Sequence, residues 1–201
     1  MATNGSFTGP HAMSLRPWQR RWLWLCLCVA MTCNLLGAVA HAQPLPVPAA
    51  GLPGFVAGMK EVPDPGLDYR VLFDLEAAAP ASGADPRLQS VARYLNSLAE
   101  YGVPPIRRHL VVLVHGAATP VVLNNSAWQA QSRTPAVSHG NPNAALIARM
   151  LAAGVQFRVC GQGLLARHLS PAQLLPGVQM DLWAVSTLAN LQLHGYAHIG
   201  E

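Results

Sequence analysis

Leu110-Val111-Val112-Leu113-Val114-His115-Gly116 is the stretch on which the fold turns. Its first five residues are uninterruptedly apolar and mostly β-branched. A strand with one face in water alternates apolar and polar residues. A continuous run suits a strand covered on both faces, as in a parallel sheet between two layers of helix. Gly116 then breaks the run, so His115 stands where the strand ends.

Upstream, residues 69–75 have strand composition. Residues 84–101 read as a helix, with Leu88, Val91, Leu95 and Leu98 on one face, Asp85-Pro86 as its start and Gly102 as its stop. Downstream, residues 116–140 read as a long polar loop. Asn141-Pro142 opens a helix that carries Leu146, Ile147, Met150 and Leu151 and ends at Gly154. Residues 155–160 form a third strand, and a helix or turn opens at Gly161. A short turn at Ser170-Pro171, closed by Pro176-Gly177, leads to a fourth strand over 178–185. Ser186-Thr187 cap a helix through Leu188 and Leu191, and Gly195 precedes a last short strand. Strands and helices alternate throughout. The reading is an α/β domain with a mostly parallel sheet, helices on both faces and right-handed crossovers.

The first 42 residues are read as a signal peptide. Arg16, Arg20 and Arg21 precede an apolar stretch from Trp22 to Val39, which closes on Ala40-His41-Ala42, a small-x-small cleavage pattern. The stretch is nearly long enough to span a bilayer, but Asn34, Gly37 and the Ala-His-Ala site favour cleavage. The expected product is periplasmic or secreted, without a stable membrane anchor; Sec and twin-arginine export both fit. Residues 43–66 are rich in proline and form a tether or an arm on the domain surface, loosely ordered, and the domain itself runs from 67 to 201. Cleavage removes three of the 13 basic residues and none of the nine acidic ones, leaving a net charge of +1. The high isoelectric point therefore belongs largely to the leader and gives no support for a nucleic-acid partner.

Cysteine usage narrows the chemistry. Cys26, Cys28 and Cys33 lie in the leader, so Cys160 is the single cysteine of the mature chain. It is either a buried, inert residue or a reactive thiol. In an open α/β sheet ligands bind beyond the carboxyl ends of the strands, and Cys160 ends its strand there. Gly161 and Gly163 are read as leaving the backbone open around it, and the amides of the turn that follows, from Gly161 and Gln162, are expected to face the sulfur and stabilise negative charge on it. His115 ends the neighbouring strand at the same edge and can serve as acid, base or hydrogen-bond partner. Arg167 can bind an anionic sulfur species, or simply end a helix in solvent. Asn124, Asn125 and Trp128 are weaker candidates in the long loop.

From residue 110 onward the chain resembles the DsrE/DsrF-like family of small sulfur-relay proteins. The resemblance rests on residues 110–116, on Gly154-Val155-Gln156-Phe157-Arg158-Val159-Cys160-Gly161-Gln162, on Leu174-Leu175-Pro176-Gly177-Val178, and on residues 188–197. It implies a three-layer α/β/α sandwich with five parallel strands, and commonly a homo-oligomer. Some members carry persulfide sulfur on the cysteine that matches Cys160. Others lack that cysteine or have no known activity. The signal peptide and the proline-rich arm depart from the best-studied members. An exported sulfur carrier, sulfurtransferase-like, is therefore the leading expectation, with a small sulfur species or a donor or acceptor protein as partner. A non-catalytic binding or assembly subunit and a thiol redox sensor are the alternatives.

Other signals are set aside, and no cofactor or metal is expected. Residues 161–166 match G-x-G-x-x-A after a strand, but Ser170-Pro171 and Pro176-Gly177 interrupt the crossover helix that a dinucleotide site needs. There is no G-x-S-x-G elbow and no C-x-x-C. His194 and His198 lack companions at zinc-ligand spacing.

Overall fold

The computed structural model describes residues 44–79, 83–131 and 140–200. All belong to one compact unit, Ala42–Glu201. The expected leader, and the part of the long loop over 132–139, lie outside the described residues.

Five strands, β1 (Tyr69–Leu75), β2 (Arg108–Val114), β3 (Gln156–Cys160), β4 (Gln179–Asp181) and β5 (Ala197–Ile199), form one sheet in the order β4-β3-β2-β1-β5. Every pairing is parallel. Leu110 to Val114 in the central strand are at most 1% exposed, which is why that run has no polar alternation.

Helices α1 (Pro86–Glu100), α2 (Asn125–Gln131), α3 (Ala144–Ala152) and α4 (Gly161–Leu165) precede α5 (Ala184–Leu193). The two faces of the sheet are covered unequally. Leu110, Val112 and Val114 of β2, with Phe157 and Val159 of β3, pack into a large core with Leu88, Val91, Leu95 and Leu98 of α1, Ile147 and Met150 of α3, and Leu164 of α4. The opposite face carries a small cluster: Leu72, Val111, Leu113 and Cys160 against Ala184 and Leu191 of α5. The topology explains the asymmetry. From β1 to β4 the chain steps one way along the sheet, so right-handed crossovers keep the intervening helices on one face. The step from β4 back across to β5 reverses direction and places α5 on the other.

Local chemistry sets the helix ends. Asp85 caps α1, accepting from the Arg87 amide at 2.9 Å, and Pro86 needs no donor partner at the first position. Asp85 is fully buried, and its charge is met by the Arg87 guanidinium at 2.7 Å. Asn143 Oδ1 accepts from the Asp85 amide at 2.7 Å, tying the start of α3 to that of α1.

The long loop and the bounds of the fourth strand and the helix after it are corrected, and the loose order expected of the arm does not hold over residues 44–51. The long loop holds a 3₁₀ stretch, Gly116–Val122, and α2. The fourth strand spans Gln179–Asp181 rather than eight residues, and α5 starts at Ala184, before the expected Ser186-Thr187 cap. Residues 44–51 are pinned to α1: Asn96, buried on α1, accepts from the Val47 amide and donates to Val47 and Gly51 carbonyls, each at 2.8 Å. Val47 itself is fully buried in the larger core.

Candidate functional site

Cys160 lies at the point where the sheet changes winding. Its register partner is Asp181, the last residue of β4. The connection leaving β3 runs to α4 on one face, and that leaving β4 runs to α5 on the other. The carboxyl ends of two such neighbouring strands diverge and open the crevice in which α/β proteins bind ligands.

The amide that meets the sulfur is not from the residues that follow it. Cys160 Sγ accepts from the Ala184 backbone N–H at 3.3 Å. Ala184 is the first residue of the ten-residue α5, so the sulfur sits against the positive end of a helix. The short α4 is placed for another reason. A Cβ on Gly161 would come within 2.9 Å of the Asp181 carbonyl oxygen, and one on Gly163 within 2.9 Å of Thr119 Oγ1. Both glycines permit close packing at the crevice wall, a correction to the expectation that they leave the backbone open, and the G-x-G spacing needs no phosphate to account for it. The Gln162 side chain donates to the Leu182 carbonyl at 3.2 Å and so braces the β4–α5 corner.

Cys160 is 4% exposed. Leu72, Val111, Leu113, Ala184 and Leu191 share its cluster, so the thiol is covered in the resting fold. The corner that leads into α5 is open to solvent: Leu182 and Trp183, which precede Ala184, are exposed. A cleft of about 500 Å³ runs beside it along α5, lined by Arg158, Asp181, Thr187 and His194 among others. In that cleft Asp181 Oδ2 accepts from Thr187 Oγ1 at 2.8 Å and pairs with Arg158 at 3.4 Å.

His115 is level with Cys160. Val114 pairs with Val159, so the residues that follow them are neighbours across β2 and β3. His115 keeps an extended backbone (φ −149°, ψ −176°), and alternation from Leu113 puts its side chain on the α5 face, as for Cys160. Its Nε2 lies 2.8 Å from Asp74 Oδ1 on β1. Asp74 Oδ2 in turn pairs with His198 Nε2 of β5 at 3.4 Å. Cys160, His115, Asp74 and His198 thus lie on one face of four consecutive strands, the first three toward the carboxyl ends and His198 lower, level with Leu72. Asp74 was missed in the sequence, and His198 was weighed only as a zinc ligand, because no motif spacing links residues of β1 and β5. The one available signal was that both fall on the face opposite the main core.

The remaining candidates divide. Arg167 Nη2 donates to the Gly116 carbonyl at 2.8 Å and joins the turn after His115. Asn124 Oδ1 accepts from the Ala127 amide at the start of α2, and Asn125 Oδ1 from the Asn141 amide, so both brace the backbone. Trp128 packs against the larger core. Among the described residues no group of three His, Cys, Asp or Glu is placed to hold a metal ion, and no helix is long and apolar enough to cross a membrane.

Comparison with known proteins agrees with this architecture. The model of the DsrE/DsrF-like family matches residues 70–200. A solved structure of a protein of unknown function from Methanobacterium thermoautotrophicum superposes with a TM-score of 0.51 at 19% identity, over 67% of this chain and 100% of that one. That likeness concerns the fold. No curated protein matches.

Proposed function

The chain belongs to the DsrE/DsrF-like family, whose members are generally related to sulfur relay, and from this we propose that it is an exported sulfur carrier that accepts sulfane sulfur on Cys160 as a persulfide. The observation that carries the reading is the Ala184 N–H donated to Cys160 Sγ at the winding reversal of the sheet. A helix N-terminus aimed at sulfur stabilises a thiolate, and the same amide stabilises the anion of a persulfide.

The transfer is balanced without an outside oxidant or reductant. His115 takes the Cys160 thiol proton, directly or across one water. The thiolate attacks the outer sulfur of a donor persulfide, R–S–SH. The new Cys160 S–S bond forms as the donor S–S bond breaks, and the leaving R–S⁻ takes the proton back from His115. The products are Cys160–S–SH and R–SH. Discharge to an acceptor thiol is the same step reversed. Arg167, which follows α4 and reaches the turn after His115 through the Gly116 carbonyl, supports an anionic donor, while Gly161 and Gln162 shape the crevice wall.

Burial of the thiol sets the order of events. The Leu182 and Trp183 side chains swing aside before transfer while the Ala184 N–H stays on the sulfur, and the donor is a small sulfur species or a narrow protein segment. The partners proposed are that donor, an acceptor, and further copies of the same chain. Export to the periplasm or medium follows from the leader pattern.

Intact mass after incubation with a persulfide donor tests the reading. A gain of about 32 Da in wild type, absent in Cys160→Ser and reversed by a reducing thiol, is the expected result. The same burial favours a second reading, an assembly or binding subunit with an incidental cysteine. Its signature is no mass gain and a thiol that alkylates only after denaturation. A disulfide-linked dimer without added sulfur points instead to a redox sensor.

A further inference from the structure

We infer that Asp74 is a positioning residue: its carboxylate fixes the tautomer of His115 so that the ring nitrogen left free is Nδ1, the base for the Cys160 thiol. The inference rests on the sulfur-carrier reading for its chemistry, but the tautomer itself does not depend on it.

A neutral imidazole has one donor and one acceptor nitrogen, and the partner of one decides the state of the other. The carboxylate of Asp74 accepts, so Nε2 at 2.8 Å must carry the proton. Nδ1 is then the unprotonated nitrogen. The pair is well sheltered: side-chain exposures are 16% for His115 and 15% for Asp74, so water competes weakly for the bond. The carboxylate is held from its other side too, since His198 Nε2 reaches Oδ2 at 3.4 Å from the far neighbouring strand. Each imidazole uses a different oxygen, so neither displaces the other.

The backbone around His115 serves the same placement. Gly116 follows it at φ +55°, a conformation other residues adopt at a cost, and turns the chain away once the histidine is set. A Cβ there would also lie 3.0 Å from Glu76 Cγ. The His115 amide donates to the Leu75 carbonyl at 3.0 Å, prolonging the β1–β2 ladder by one rung. Ring and carboxylate are therefore presented by two paired strands, and Cys160 by the next. A bare histidine at a strand end would exchange tautomers freely and swing. Here both motions are restrained, which shortens the search for the proton-accepting geometry.

The test pairs a spectroscopic readout with a kinetic one. Nitrogen-15 shifts of the His115 ring report the tautomer. Wild type is expected in the Nε2–H form. In Asp74→Asn, whose amide can donate to Nε2, that form should lose its dominance. Sulfur uptake on Cys160 should slow by roughly 10- to 100-fold in Asp74→Asn, within the range of an acid–base contribution. Asp74→Glu, which keeps the charge, should recover part of the rate and the wild-type tautomer. An unchanged tautomer in Asp74→Asn, or an Nδ1–H form in wild type, overturns the inference. So does normal uptake by a folded Asp74→Asn. Failure of wild type to take up sulfur, with the tautomer as expected, overturns the carrier reading and leaves the histidine assignment standing.

Discussion

At the crevice, single atoms decide what is tolerated. Gly161 lies against the Asp181 carbonyl, and a methyl group there meets backbone oxygen at 2.9 Å, which cannot rotate aside. Gly161→Ala should therefore destabilise the fold by about 1–3 kcal/mol through overpacking. Urea denaturation checks this, and an unchanged midpoint would remove Gly161 from the crevice wall. That Cys160 would end a strand could be read from the residues around it. That its partner amide would be Ala184 could not. Ser186 and Thr187 looked like a helix cap, because hydroxyls at helix starts usually serve as one. In the fold they lie inside the helix: Ser186 Oγ donates to the Trp183 carbonyl at 2.8 Å, and Thr187 Oγ1 to Asp181 at 2.8 Å. Side-chain bonds to the preceding turn compete with capping, and nothing in the local sequence tells the two apart.

Helix α1 shows how an element is held from two sides. Its outer side carries Asn96 and the proline-rich arm. Toward the sheet, Tyr94 packs edge-to-face on Phe73 and on Tyr69, with ring centroids 5.7 and 6.5 Å apart. Burial, and then the neighbouring Tyr69, push the Tyr94 hydroxyl up to about 12. The unfolded chain ionises near the ordinary value of about 10. Between those values the unfolded state has lost a proton that the folded state retains, so stability is full below about 10 and falls as pH rises toward 12. Tyr94→Phe keeps the ring contacts and should flatten that fall, as followed by chemical denaturation at a series of alkaline pH values. An identical decline in the variant would contradict the assignment. The helix was legible from its four apolar positions and its Asp-Pro start. The docking of the arm was not, since one valine among prolines has no periodicity to reveal that it enters the core.

Among the described residues the sheet is covered unequally, with four helices on one face and one on the other. The alternation of strands and helices announced a parallel sheet, but strand order and the reversal after β4 arise from how crossovers pack, which no local signal carries. On the thinly covered side, Val185 and Leu193 lie two turns apart on α5 and are exposed, near the exposed Leu182 and Trp183 of the preceding corner. Such a patch is where a second copy of the chain is expected to pack. Leu193→Glu should shift the sedimentation coefficient to that of a smaller species while leaving the circular dichroism unchanged. A wild-type chain already monomeric at micromolar concentration would contradict this.

Sulfur carriage requires that the covered thiol become reachable without global unfolding. Alkylation of Cys160 in the native protein, measured across low urea concentrations, tests this directly. Moving Leu182 and Trp183 aside exposes little surface, so the labelling rate should be nearly independent of urea below the unfolding transition. A rate that is undetectable without urea and rises with the slope of global unfolding would show that the sulfur is reached only from the unfolded chain, and the proposed carrier role would fall.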